Sequence, residues 1–129
     1  MILLDTHALL WMASDPHQLS KRAAEAIRQA RQSSGIAVAT ITLWELAWLA
    51  ENGRIQVSMS VERFVEEAVS RVILQPMTPV ITALAARLPK SFPRDPADRI
   101  IAATGMVEGM PLVTADKQIR QAKVVETVW

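Results

Sequence analysis

Short unbroken apolar runs alternate along this chain with longer stretches in which apolar residues recur every three or four positions. The runs read as strands buried on both faces, and the periodic stretches read as helices. The first run, Met1 to Leu4, stops at Asp5, and Ala8 to Ala13 reads as a brief helix ended by the Asp15-Pro16 turn. Ser20 is placed to cap the next helix. There Ala23, Ala24, Ile27 and Ala30 form an apolar stripe, Lys21, Arg22, Arg28 and Arg31 lie on the wet side, and Gly35 ends the helix. A second strand, IAVAT from Ile36, precedes a helix LWELAWLAEN from Leu43 closed by Gly53, and VERFVEEAVSR after Ser60 is another helix. VILQP reads as a third strand, followed by TPVITALAARL, with Thr78 as cap and Pro79 at the first helical position. The segment PKSFPRDP, Pro89 to Pro96, holds three prolines and is a loop. Helix resumes in ADRIIAATGMVE up to Gly109, with Gly105 inside it a modest weakness. PLVTA is a fourth strand, DKQIRQA a short helix and VVETV a last strand.

Strands separated by helical spans predict an α/β fold. The expected architecture is a three-layer α/β/α sandwich with a mostly parallel central sheet and right-handed crossovers. The pattern leaves the order of the strands open. A length of 129 residues fits a single domain spanning residues 1–129, and a domain of this size buries roughly two-thirds of its unfolded surface. Half the residues are hydrophobic and 21% are charged, a globular composition. No apolar stretch approaches the ~20 residues that span a bilayer, so no membrane association is expected. With 14 Lys+Arg against 13 Asp+Glu the net charge is +1, so binding of a polyanion would have to come from a local patch. The absence of Cys excludes disulfides and thiolate zinc sites. Asp5 and His7 also interrupt the opening run before it reaches export-signal length, which makes the cytoplasm the expected location.

Four acids fall where an open parallel sheet places its chemistry, at the carboxyl ends of the strands. Asp5 ends the first strand and Asp116 follows PLVTA; Glu45 lies three residues past Thr42, and Asp98 three past Asp95. Each taken singly is accounted for by helix capping. TLWE (Thr42 to Glu45) fits a capping box, DPAD (Asp95 to Asp98) repeats that spacing, and Asp5 and Asp116 can cap the helices behind them. As a group they carry a different implication, because neighbouring parallel strands would bring the four carboxylates to one crevice. Like charges that close either take up protons or gather a divalent cation. Oxygen donors, with only two His in the chain, suit Mg²⁺ or Mn²⁺ rather than zinc or copper. Thr6 and Thr114 flank two of these acids and are placed to hold a carboxylate or a metal-bound water; for Thr6, ordinary strand-end hydrogen bonding accounts for the residue equally well. His7 reads as a loop or cap residue and His17 as exposed.

In the order LLDTH with Asp5, TLWEL with Glu45, DPADRIIAAT with Asp98 and LVTAD with Asp116, the chain resembles the PIN-domain nucleases, and most closely the VapC toxins of toxin–antitoxin pairs that open with DTHALLW. The likeness runs along essentially the whole chain. It implies the α/β/α sandwich, with Asp5, Glu45, Asp98 and Asp116 as metal-binding and catalytic acids and Thr114 in support. It also implies Mg²⁺-dependent endoribonuclease activity, a VapB-type antitoxin partner and a homodimer. The chemistry would be phosphodiester hydrolysis by a water that the ion activates. Lys90, Arg94, Arg99 and Lys117 belong to the segments bearing Asp98 and Asp116, and would form a basic rim for the RNA backbone. Long side chains solvating an acidic edge account for each of them equally well. Trp11, Trp44 and Trp48 read as core or helix-packing residues that, if exposed, would mark a dimer or antitoxin surface.

Two alternatives stand beside this reading. One is phosphotransfer through an aspartyl-phosphate at Asp5, against which His7 stands where such enzymes carry a second Asp. The other is a non-catalytic acidic pocket that docks a partner's basic segment. Metal-dependent cleavage of RNA separates catalyst from docking module.

Overall fold

The structure, a computed structural model, describes residues 1–129. Five strands form one parallel sheet: β1 (Ile2–Leu4), β2 (Ile36–Ala39), β3 (Ile73–Gln75), β4 (Leu112–Val113) and β5 (Thr127–Val128). Seven helices separate them: α1 (Thr6–Ser14), α2 (Lys21–Gln32), α3 (Ile41–Glu51), α4 (Val61–Ala68), α5 (Pro79–Arg87), α6 (Pro96–Glu108) and α7 (Lys117–Ala122). A single 3-10 turn at Pro16–Gln18 follows the Asp15-Pro16 stop. The expected α/β/α sandwich is therefore what forms, and every strand pairing is parallel.

Strand order is β3-β2-β1-β4-β5, so β1 is central and the chain winds outward from it in both directions. Its register sets Leu3 against Ala37 on one side and Leu112 on the other. Alternation along β1 then sorts the core into two layers. Leu4, Val38 and Val113 face α1 and α2 through Leu9, Ala23 and Ile27, while Leu3, Ala37 and Leu112 face α6 and α7 through Ile101 and Ile119. Burial of both faces explains why the central strands are continuous apolar runs with no polar alternation. The outer strand β3 is the exception, with Ile73 and Leu74 exposed.

Gly105 has a packing reason rather than being a defect. A Cβ there would stand 2.9 Å from the carbonyl oxygen of Met110 and 3.2 Å from a Val125 methyl, so α6 lies against the segments that lead into β4 and β5 only because the side chain is missing. Gly109 ends the same helix in the left-handed conformation, φ 66°, as the helix-stop pattern requires.

Candidate functional site

A parallel sheet whose order reverses at one strand opens a crevice beyond the carboxyl ends of the strands flanking the reversal. In this chain the reversal lies between β1 and β4. Asp5 leaves the end of β1, its N–H bonded to the Val113 carbonyl at 3.2 Å, and Asp116 follows β4. A cleft of about 370 Å³ opens there, lined by Asp5, Glu45, Asp95, Asp98 and Asp116 together with Thr6, His7 and Trp11. The four acids expected at the carboxyl edge meet, and Asp95 joins them.

Capping and clustering turn out to be compatible roles. Asp5 caps α1 through Oδ1, which accepts the Ala8 N–H at 2.8 Å. Asp116 caps α7 through Oδ1 on Ile119 N–H at 3.0 Å, and Asp95 caps α6 through Oδ1 on the N–H groups of Ala97 and Asp98. One oxygen of Asp95 and one of Asp116 hold a helix start in place, while the second takes no protein hydrogen bond. Three helix N-termini thereby point at the cleft, and their partial positive charge offsets part of the carboxylate charge.

Glu45 is held differently from its expected capping box. β2 runs straight into α3 through Thr40, whose side chain caps nothing, and the helix starts at Ile41 rather than at Leu43. Thr42 and Glu45 are therefore both interior to the helix, one turn apart on a shared face. That face meets Thr6, whose Oγ1 lies 3.2 Å from the Thr42 hydroxyl and donates to Glu45 Oε1 at 2.5 Å. Thr6 and Thr42 are buried, so the pair fixes the glutamate from beneath. Thr114 is fully buried on the other side, where its hydroxyl accepts the Asp116 N–H at 3.1 Å and steadies the Asp5 carboxylate.

Charge crowding shows in the acidities. Burial pushes the Asp5 carboxyl up, against the lowering pull of the Thr114 hydroxyl, the Ala8 N–H and His7. Burial also raises Glu45, with the Thr6 hydroxyl opposing and the Asp95 and Asp5 charges adding. Asp98 is the extreme case. Its side chain accepts no hydrogen bond and pairs with no cation, and burial followed by the charges of Asp95, Glu45, Asp116 and Asp5 pushes it up from 3.8 to about 7. Such crowding is relieved by a proton or by a cation. The donor set, all oxygen apart from His7 at the rim, suits a hard divalent ion. Nowhere do three or more acidic or imidazole side chains enclose a point closely enough to cage a metal alone. Mg²⁺ asks for no such cage, since it usually takes one or two carboxylates and keeps several waters.

Several expected positions are corrected. His7 is not a loop residue but lies in the first turn of α1, exposed at the cleft wall, its ring 5.7 Å from that of Trp11. Trp11 in turn packs on Trp129 at 5.8 Å. Trp44 and Trp48 are not core residues, being 59% and 41% exposed. Arg99 does not join a basic rim. Its guanidinium turns inward and all five N–H groups are used: Nε on Pro93 O, Nη1 on Ala85 O and Leu88 O, Nη2 on Pro89 O and Phe92 O, at 3.0–3.4 Å. The end of α5 and its loop present these carbonyls, because Pro89 and Pro93 supply no N–H and the Ala85 carbonyl otherwise receives only a long bond of 3.4 Å from the Leu88 N–H. Lys90 and Arg94 lie exposed on a separate groove beside α7, and Lys117 on another. Asp95, His7 and Thr42 line or support the cleft without having been singled out for it. For Asp95 a signal existed, since two acids three residues apart at a helix start share a face.

Residues 2–125 match the PIN domain family. Ribonuclease VapC22 of Mycobacterium tuberculosis is 42% identical over 130 residues, 99% of this chain and 98% of that protein. Among solved structures, VapBC2 from Rickettsia felis bound to a promoter DNA fragment superposes with a TM-score of 0.73 at 17% identity, covering 98% of this chain and 97% of that one. VapBC-1 from nontypeable Haemophilus influenzae does so with a TM-score of 0.73 at 20% identity, covering 98% and 96%. With the sheet order, the acid cleft and a relative this similar along nearly its full length, the chain belongs to the PIN-domain family, in its VapC branch.

Proposed function

We infer that the protein is a Mg²⁺-dependent endoribonuclease, the toxin of a VapBC-type pair, held in check by a VapB-type antitoxin and acting as a homodimer. The observation that carries the reading is the meeting of Asp5, Glu45, Asp95, Asp98 and Asp116 in one cleft where Asp98 has neither donor nor cation beside it. The relative named Ribonuclease VapC22 and the VapBC assemblies support the toxin assignment. Exposed Trp44 and Val80, at 59% and 64%, support a further protein contact.

Asp5, Glu45, Asp98 and Asp116 are the residues placed to hold the ion, with Mn²⁺ as an acceptable substitute. When bound, the ion would supply Lewis-acid polarisation of the phosphate and a lowered pKa for water. The chain's own groups do the positioning. Oδ1 of Asp5 and of Asp116 is tied to a helix N–H, so each carboxylate is aimed before substrate arrives. Thr6 fixes Oε1 of Glu45 and leaves Oε2, which takes no protein hydrogen bond, as the oxygen available to accept a proton or orient a water. No side-chain nucleophile is required, and Asp5 in particular is restrained by its capping bond and its burial.

The test is incubation of purified protein with total RNA in Mg²⁺, in Mn²⁺ and in EDTA, beside Asp5→Asn. Discrete fragments with either metal, none in EDTA and none from the variant are expected. Intact RNA under every metal condition overturns the nuclease reading and leaves a pocket for a partner's basic segment.

A further inference from the structure

On one flank of the cleft the surface charge changes sign abruptly. Asp116 lines the cleft and caps α7, and the next residue, Lys117, begins a helix that carries Arg120 and is followed by Lys123. Two grooves of about 520 and 530 Å³ run along α7 and share Gln121. The first is lined by Lys90 and Arg94, the second by Lys117, Arg120 and Lys123, and neither contains a carboxylate. All five cations lack a carboxylate within 4.0 Å, since the ion pairs of the chain are Arg28–Glu25 and Arg63–Glu67. None of the five side chains makes a hydrogen bond to the protein. The α4 groove, by contrast, sets Arg63 among Glu62, Glu66 and Glu67.

Lys123 adds a separate observation. It is the one non-glycine residue with positive φ, held at φ 54°, ψ 33° where glycine would be the unstrained choice. The left-handed turn at Lys123 ends α7 and leaves its side chain exposed in the second groove.

We propose that these paired grooves are a phosphate track, in which the backbone of single-stranded RNA leaves the acid cleft past Asp116 and runs along α7 over Lys117, Arg120 and Lys123, with Lys90 and Arg94 on the far side of the helix. The proposal rests on the ribonuclease reading and adds to it the path of the substrate. Without its ion the acid cleft repels a polyanion, so in that state attraction comes from unpaired positive charge next to it. Phosphate contacts of this kind position the strand without reading its bases.

The test measures binding in EDTA of a fluorescein-labelled, unstructured RNA oligonucleotide across a salt series. The wild type is compared with Lys117→Gln/Arg120→Gln/Lys123→Gln and with Lys21→Gln/Arg22→Gln/Arg31→Gln on α2. The two triples remove the same net charge, on opposite faces of the sheet. Each phosphate contact contributes a slope of about 0.7 in log affinity against log salt for a single strand, so losing three lowers the slope by about 2 and the affinity at 0.1 M salt by roughly 100-fold. The α2 triple should stay near wild type. Because Arg120 is half-buried, melting curves accompany the assay, and Lys117→Gln/Lys123→Gln, both exposed, serves as a second variant with roughly 25-fold expected loss. Equal behaviour of the α7 and α2 triples, or a loss independent of salt, overturns the track. Cleavage of RNA by the wild type is scored in parallel: absence of cleavage would sink the nuclease reading, whereas cleavage with unaltered binding by the α7 variants would sink the track alone.

Discussion

Asp98→Asn should make the metal-free protein more stable at about pH 8, although Asp98 sits among the acids placed to hold the ion. The folded carboxyl is raised from 3.8 to about 7, so between those values the folded chain keeps a proton that the unfolded chain has released. Stability contributed by the neutral acid is fully present below 3.8 and is lost progressively as pH climbs to about 7, above which the whole penalty stands. A tenfold change in proton affinity corresponds to 1.36 kcal/mol, so the full rise would amount to about 4 kcal/mol. Asp98 is partly solvated, and screening roughly halves that to about 2 kcal/mol. Asparagine also forgoes the favourable interaction of an acid with the start of α6, about 0.5 kcal/mol, leaving a net gain of about 1.5 kcal/mol.

For a chain of 129 residues the unfolding entropy is about 0.27 kcal/mol/K, so Tm should rise by about 5–6 °C in EDTA and low salt. The gain should shrink to less than half at about pH 5, where much of the penalty has not yet accumulated. Adding Mg²⁺ should raise Tm of the wild type more than that of the variant, because the ion stabilises only a state that binds it. Circular dichroism melts at the two pH values, with and without Mg²⁺, decide the matter. A lower Tm for Asp98→Asn at pH 8 in EDTA, or a gain indifferent to pH, would refute charge crowding in the cleft.

Arg99→Met should lower stability by about 3 kcal/mol, read as a shift of the urea midpoint, because five carbonyls lose a charged donor together. Arg99→Lys should recover little of it, since one ammonium cannot reproduce the planar fork; full recovery by lysine would show that charge rather than geometry matters. Thr6→Val should cut cleavage roughly 10–100-fold by freeing Glu45 from its hydrogen bond. It should also move the acidic limb of the pH–rate profile upward, as the Thr6 hydroxyl holds the Glu45 carboxyl down. Thr6→Ser should restore both, and an unmoved profile would remove Glu45 from the protonation that limits the rate.

Signals spanning three or four residues are legible in the sequence itself. Ser20, Thr78 and Asp116 cap the helices their spacing indicates, with bonds to the third N–H onward, and Gly109 stops α6 in the left-handed conformation. Alternating apolar runs and periodic stretches determined a parallel α/β sandwich, and with it the edge on which the acids fall, because burial of a parallel sheet leaves no polar alternation and strand ends are marked by the next cap. Tertiary structure alone decided the rest. The β3-β2-β1-β4-β5 order brings Asp5 beside Asp116. The bond from Thr6 to Glu45 joins residues 39 apart, and it arises because α3 begins at Ile41, two residues before its expected start at Leu43. Arg99 turns inward to the carbonyls of Ala85 and Leu88, 14 and 11 residues earlier in the chain, because the end of α5 packs against the start of α6, and Trp44 faces outward because α3 packs on another side. Hydrogen bonding within a turn is written into adjacent residues, whereas which faces meet depends on how whole elements pack, a property that no short stretch of chain contains.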